Sequence, residues 1–268
     1  MNQTIGFIGC GNMASAMIGG IINANLVAST QIICSNKTED KLTEIHKRYG
    51  VLIASNNSEV ASKSDVLVLA VKPFAYKEVI EEIRDKVDNE TIIVSIAAGI
   101  KIEMIKELFQ KDVKVIRVMP NTPALVGEGM SALSPCPKVV QSDIDLICNI
   151  FNSFGKCEVI KEDLMDVVTA VSGSSPAFIF MIIEAMADAA VREGLPREKA
   201  YTFASQTVLG SAKMVLETKK HPGELKDMVT SPAGTTIEGI AQLEKSGLRS
   251  GIIEAIHHAT KKAKDLSK

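Results

Sequence analysis

The run Ile5-Gly6-Phe7-Ile8-Gly9-Cys10-Gly11-Asn12-Met13-Ala14 constrains this chain more than any other stretch. Four apolar residues read as a strand, G-x-G-x-x-A as a tight turn, and the residues after it as a helix. In such a corner Gly9 permits the sharp reversal, Gly11 leaves room for a pyrophosphate beside the backbone, and Ala14 lets helix and strand approach closely. The helix N-terminus, with Asn12 and Met13 at it, presents free N–H groups and a partial positive charge to that anion. Glycine pairs also occur in strand-to-helix corners that bind nothing; here a strand precedes the pair, a helix follows, and a βαβ run continues from it.

Over the first 160 residues, short β-branched runs alternate with helical patterns, as βαβ units feeding a mostly parallel sheet do. Strands are predicted at Ile5–Ile8, Gln31–Ser35, Val51–Ala54, Asp65–Val71, Thr91–Ile96, Val113–Met119, Met130–Ser134 and Glu158–Ile160. Helices are predicted between them at Met13–Asn25, Glu39–Tyr49, Tyr76–Val87 and Ile102–Gln110. From Glu162 onward the strand signal stops, and helical patterns cover Ala177–Glu193, Arg197–Glu217, Thr236–Lys245 and Gly251–Leu266. The expected architecture is α/β: a Rossmann-like doubly wound sheet over 1–160, then an all-helical domain over 161–268. Gly173-Ser174-Ser175-Pro176 is expected to break the chain before the apolar helix, Gly194-Leu195-Pro196 to end that helix, and His221-Pro222-Gly223 to end the next. The apolar stretch Ala177–Val191 carries Glu184 and Asp188 and falls short of the roughly 20 residues a bilayer core needs. It reads as a buried helix, packed either inside a monomer or against a second subunit.

Composition removes other classes. Thirty basic against 32 acidic residues, with three Tyr and no Trp, provide neither the basic stripe nor the stacking aromatics of a nucleic-acid binder. Met1-Asn2-Gln3-Thr4 leads directly into a strand, without a signal-peptide pattern. Five scattered cysteines form no C-x-x-C pair, so no metal cluster and no disulfide framework is expected, and a reducing cytoplasm fits.

About 20 residues past the glycines, an NAD-binding domain places Asp or Glu on the ribose diol. This chain has Ser35-Asn36-Lys37 there. Neutral donors and a cation suit the 2′-phosphate of NADPH better than the bare hydroxyl of NADH. Alternatively Lys37 is a solvated turn residue. Ligands in open α/β sheets lie beyond the carboxyl ends of the strands, where Ala70-Val71-Lys72-Pro73, Ala97-Ala98-Gly99 and Met119-Pro120-Asn121-Thr122-Pro123 stand. Small residues and prolines there, Ala97 and Pro120 among them, let a flat ring lie against rigid backbone, and Asn57 is a candidate contact for the ribose. Each also has a plain reading: small residues pack, proline stops strands, and Lys72 caps one.

In the second half, Val229-Thr230-Ser231-Pro232-Ala233-Gly234-Thr235-Thr236 brings hydroxyls and backbone N–H groups to the start of a helix. That suits a carboxylate, and equally a plain N-cap. None of His46, His221, His257 or His258 falls in a strand-end motif, so no strong general acid is evident.

These motifs carry a family resemblance. Gly-Phe-Ile-Gly-Cys-Gly-Asn-Met-Ala, Ala-Val-Lys-Pro, Ala-Ala-Gly, Met-Pro-Asn-Thr-Pro, Val171-Ser172-Gly173-Ser174-Ser175-Pro176-Ala177 and the string from Pro222 to Thr236 resemble the successive motifs of pyrroline-5-carboxylate reductases over nearly the whole chain. Ser175 and Ala233 stand where that family more often has glycine. The resemblance implies hydride transfer from NAD(P)H to the cyclic imine of 1-pyrroline-5-carboxylate, the last step of proline biosynthesis. It also implies a carboxylate site at Ser231, Gly234, Thr235 and Thr236, and a hydrogen-bonding Thr169 near the imine nitrogen. Finally it implies a helical domain for substrate binding and dimerisation, in a homodimer or larger homo-oligomer whose one subunit completes the other's site. An iminium brings its own proton, which accounts for the missing acid; proximity and orientation then do most of the work. Two other readings share the fold: a β-hydroxyacid-type dehydrogenase, which needs a Lys or His donor that the loop lacks, and a non-catalytic NADPH-sensing protein.

Overall fold

The structure, a computed structural model, describes residues 1–267. Its strands are β1 (Ile5–Ile8), β2 (Ile32–Ser35), β3 (Leu52–Ile53), β4 (Val66–Leu69), β5 (Ile92–Ser95), β6 (Lys114–Met119), β7 (Gly129–Pro135) and β8 (Gly155–Val159). They form one sheet in the order β3-β2-β1-β4-β5-β6-β7-β8. β1 to β6 run parallel, β7 is antiparallel to β6, and β8 is parallel to β7. All eight predicted strands are present. Ile5, Phe7, Ile8, Leu67, Leu69, Ile93 and Val94 are almost wholly buried, as expected for parallel strands covered on both faces. With β1 flanked by β2 and β4, strand order reverses at the carboxyl end of β1, the crevice where ligands of such sheets sit.

The helices of the first half are α1 (Asn12–Asn23), α2 (Glu39–Tyr49), α3 (Asn57–Lys63), α4 (Tyr76–Ile83), α5 (Ile102–Phe109) and α6 (Gln141–Asn152). Two of these go beyond the sequence pattern. α3 is seven residues long and buries just Val60 and Ala61, too few to show a period, and its start is made by Asn56, whose side chain accepts from Glu59 N. α6 buries Ile147, Ile150 and Phe151 after the exposed polar pair Gln141 and Ser142.

The second half holds α7 (Met165–Val168), a π-helical segment Thr169–Ser174, α8 (Ser175–Arg192), α9 (Arg197–Thr218), α10 (Pro222–Met228), α11 (Thr235–Lys245) and α12 (Leu248–Leu266). Two expected breaks differ. Gly173 to Pro176 does not interrupt the helix; the chain stays helical from Glu162 to Arg192, passing through the π turns of Thr169–Ser174 just ahead of Pro176. His221-Pro222-Gly223 starts a helix instead of ending one. α9 closes earlier, at left-handed Lys219 (φ +55°). His221 Nδ1 then accepts from Gly223 N at 3.1 Å, and Pro222 takes a first-turn position where its missing N–H costs nothing.

The chain divides into two compact units: Met1–Ser174 with the residues from Ala259 onward, and Ser175–His258. Strand gives way to helix near residue 160, but α7 and the π segment pack with the sheet. In the other unit α8 packs chiefly on α9. The expectation that α8 is buried does not hold within one chain: Phe180 and Met181 are 63% and 67% exposed. By length and composition alone, the Glu162–Arg192 helix is apolar enough to cross a membrane.

Candidate active site

Each part of the phosphate turn is fixed by a bond or a close approach. Gly9 takes φ +99°, and a Cβ there would lie 2.7 Å from Ala70 O, so no side chain fits. Its N–H donates to Ser35 O at 2.9 Å, and Cys10 N donates to Asn36 Oδ1 at 2.9 Å. Gly11 is the N-cap of α1; no side chain caps that helix and no acidic residue stands in its first turn. A Cβ on Gly11 would meet nothing within 4 Å. Asn12 is exposed, Met13 half-buried, and Ala14 fully buried against the sheet. An open backbone approach, free first-turn N–H groups and no competing carboxylate fit a pyrophosphate. Behind the turn the Cys10 thiol is lowered by a hydrogen bond with Cys34, whose own thiol is raised by that bond and by burial.

At the end of β2, three of the predicted cofactor residues are already hydrogen-bonded within the protein. Ser35 is buried and its Oγ donates to Asn57 Oδ1 at 2.7 Å, while Asn57 Nδ2 donates to Glu82 Oε2 at 2.6 Å. Asn36 Nδ2 donates to Thr38 O and Oγ1 at 3.0 and 2.8 Å. Ser35, Asn36 and Asn57 thus spend their polar atoms on the turn and its support. Lys37 is exposed and pairs with no described residue.

The strand ends on the other side are tied by residues that motif reading passed over. Tyr76, 1% exposed, donates its hydroxyl to Leu69 O at 2.9 Å and shares a 2.9 Å bond with Ser95 Oγ. It thereby joins the ends of β4 and β5, and burial pushes its phenol up to about 12. Ala70 and Val71 are half-buried, Lys72 and Pro73 exposed, and Ala97 and Pro120 buried. Gly99 takes φ +80°, and a Cβ there would also lie 2.6 Å from Leu266 O, so no other residue fits. Next along the row Arg117, buried in β6, pairs with Glu162 at 3.2 Å and Asp166 at 3.8 Å. Glu162 Oε1 also accepts from Ile102 N, and Ser267 Oγ donates to Asp166 Oδ1 at 2.9 Å. The strand register Leu69–Ser95–Arg117–Ser134 is the signal that could have found this row.

Thr169 opens the π segment and donates its hydroxyl to Met165 O at 2.8 Å. Its proton is engaged, so its oxygen is left with acceptor capacity only. His46 bonds Val51 O, His221 caps α10, and His258 stands 3.8 Å from Glu254 on α12. Among the described residues no cluster of three His, Cys, Asp or Glu could hold a metal.

In the helical unit, Gly234 is the N-cap of α11 and no side chain caps it. The N–H of Gly234 donates to Ser231 O at 3.1 Å, and Thr230 Oγ1 donates back to Lys226 O. The Thr235 and Thr236 hydroxyls are exposed and bond no described residue. Ala233 sits at φ +54°, the left-handed region that favours glycine. Ala233→Gly should therefore stabilise the fold by about 0.5–1 kcal/mol, the left-handed penalty less glycine's extra unfolded-state entropy. A thermal melt should show a midpoint about 1–3 °C higher; a lower midpoint would contradict the strain.

Residues 162–266 match the family model for pyrroline-5-carboxylate reductase dimerisation, and residues 4–99 match the model described as NADP oxidoreductase, coenzyme F420-dependent. The chain is 48% identical to the pyrroline-5-carboxylate reductase of Escherichia coli (strain K12), covering 100% of both chains. The chain belongs to the pyrroline-5-carboxylate reductase family. The Methanosarcina acetivorans reductase is 44% identical over 100% of this chain and 99% of its own. Among solved structures, the Coxiella burnetii reductase superimposes with a TM-score of 0.94 at 37% identity, covering 100% of each chain. The Plasmodium falciparum enzyme, solved with NADP bound, has a TM-score of 0.90 at 34% identity and covers 100% of this chain and 99% of its own. The reductase converts 1-pyrroline-5-carboxylate to proline with NAD(P)H, which makes it an oxidoreductase of proline biosynthesis.

Proposed function

We propose that this reductase prefers NADPH to NADH. The observation that carries the reading is at the end of β2, where Ser35 and Asn57 bond each other, Asn36 is engaged by Cys10 N and Thr38, and Lys37 alone of the four predicted residues keeps its polar group open. A cation there pairs with a 2′-phosphate, and the relative solved with NADP supports the same choice. Glu39 and Asp40 follow in the first turn of α2, so exchanging Lys37 for a carboxylate tips the charge of that end toward the negative. Lys37→Glu should lower kcat/KM for NADPH by about tenfold or more while leaving NADH within about twofold, from loss of one charge-assisted bond and added repulsion. Steady-state assays with both cofactors check this, and an unchanged cofactor ratio removes Lys37 from the account.

The remaining assignments follow the same physics. The α1 N-terminus, with Gly9, Gly11, Asn12, Met13 and Ala14, holds the pyrophosphate; Ala70, Val71, Lys72, Pro73, Ala97 and Pro120 line the nicotinamide side. The bound cofactor supplies the hydride that C5 of the imine receives. Thr169, its own proton engaged by Met165 O, accepts a hydrogen bond from the protonated ring nitrogen and so orients the iminium without having to act as an acid. Ser231, Gly234, Thr235 and Thr236 hold the substrate carboxylate at the start of α11. The exposed apolar side chains of α8, Ile179, Phe180 and Met181 among them, are covered in a homodimer or larger homo-oligomer. The matching dimerisation model supports that assembly over a membrane for this helix. Five free thiols suit a reducing, cytoplasmic setting.

A further inference from the structure

Pro176 has no N–H, so the carbonyl four residues earlier, on Ser172, lacks its α-helical donor. The side chain of Asn121 supplies one. Its Nδ2 donates to Ser172 O and to Ser172 Oγ, both at 3.2 Å, and its Oδ1 accepts from Met130 N at 2.8 Å. One half-buried amide therefore joins three places: the exit of β6, the start of β7 and the π segment Thr169–Ser174. The segment also rests on β6 through Gly173, where a Cβ would lie 2.7 Å from Met119 Cε. Thr169 Cγ2 is the next atom that Cβ would meet, at 3.9 Å, so Thr169 and the Asn121 anchor share one short stretch of helix.

We propose that Asn121 is a positioning residue for the reaction: its amide clamps the π segment to the ends of β6 and β7 and so sets where the Thr169 oxygen stands. The proposal rests on the reading of Thr169 as the group that meets the imine nitrogen. A π turn holds one residue more than an α-helical turn, and such turns persist where surrounding contacts maintain them. Without the amide, Ser172 O and Met130 N each lose a partner, and the segment is free to shift. A displacement near an ångström at a reacting centre costs up to about a hundredfold in rate, so a partial loss of the clamp should cost on the order of tenfold.

The test uses the full-length enzyme. Asn121→Ala should lower kcat about tenfold, leave the KM for NADPH within about twofold, and speed hydrogen exchange of the amides of residues 169–175. Asn121→Asp keeps an acceptor for Met130 N but turns an oxygen toward Ser172 O, so it should reproduce both effects; it serves equally if the alanine variant does not fold. Pro176→Ala returns a helical N–H to Ser172 O, and in that background Asn121→Ala should cost less than about twofold more. Unchanged exchange, unchanged kcat, an equal loss in both backgrounds, or a rise in the KM for NADPH matching the loss in kcat would each overturn the proposal. Thr169→Val separates the two layers. If it leaves kcat unaltered, the Thr169 reading fails and takes this proposal with it; if it lowers kcat while Asn121→Ala does not, the clamp alone fails.

Discussion

Gly9→Ala is expected to weaken NADPH binding on the order of a hundredfold and to lower the thermal midpoint as well. The new methyl would stand 2.7 Å from Ala70 O and 2.9 Å from Ala70 C. These are backbone atoms, and Ala70 is held to β1 by its N–H donating to Ile8 O at 2.9 Å. Relief therefore requires the turn to move or β1 and β4 to part. The φ of +99° adds a conformational cost of about 1–3 kcal/mol for any residue but glycine. If the turn gives way, Cys10 N leaves Asn36 Oδ1 and the free N–H groups of α1 lose their aim, and about 2.7 kcal/mol lost in binding is the expected hundredfold. Gly11→Ala supplies the contrast. Its backbone (φ −74°) suits alanine and its methyl meets nothing within 4 Å, so stability should fall only by the about 0.5–1 kcal/mol of a poorer N-cap. NADPH binding should still weaken severalfold or more, because the methyl occupies the approach of the pyrophosphate. Fluorescence titration with NADPH beside thermal melts of both variants checks the pair, and a Gly11→Ala enzyme with unaltered NADPH affinity would show that the pyrophosphate lies elsewhere.

The parts of this enzyme that were legible in its sequence are those where a local rule acts alone. The strands of the parallel sheet are buried on both faces, so β1, β4 and β5 stand out as apolar runs. The glycine turn is dictated by neighbours within a few residues. Three things were not local. Pro176 offers no N–H to Ser172 O, and the donor that reaches that carbonyl in the π segment is Asn121, more than fifty residues away; the string Gly173-Ser174-Ser175-Pro176 by itself reads as a break. Ser35 and Asn57 look like free polar contacts until β2 and α3 come together and they bond each other. The row of Tyr76, Ser95 and Arg117 depends on strand register, which pairs Ser95 with Arg117 across β5 and β6. The exposed side chains of α8 follow the same logic: an apolar period shows that a face is covered but not by which chain. Ala233 stands between these cases. Its departure from the more usual glycine was visible in the sequence, and its consequence needed the backbone angle of +54°.

The substrate carboxylate gives the other large expected effect. The loop before α11 brings two kinds of donor to one point: first-turn N–H groups behind the Gly234 N-cap, and the hydroxyls of Thr235 and Thr236, which no described residue engages. A helix N-terminus alone contributes about 0.3–1 kcal/mol to a surface anion, too little to select one small acid from many. A hydrogen bond from a hydroxyl to a carboxylate contributes about 1.5–3 kcal/mol. Thr236→Ala removes that bond and leaves the helix terminus intact, so the KM for the imine should rise about tenfold to a hundredfold with the KM for NADPH unchanged. Thr236→Ser keeps the hydroxyl and should recover most of the loss. The split between the two constants distinguishes a binding role from a packing one. Because Thr236 is exposed, its truncation leaves no cavity, and the melting temperature should stay within about 1 °C. A Thr236→Ala enzyme that keeps its KM for the imine would place the carboxylate on the backbone N–H groups of the loop alone.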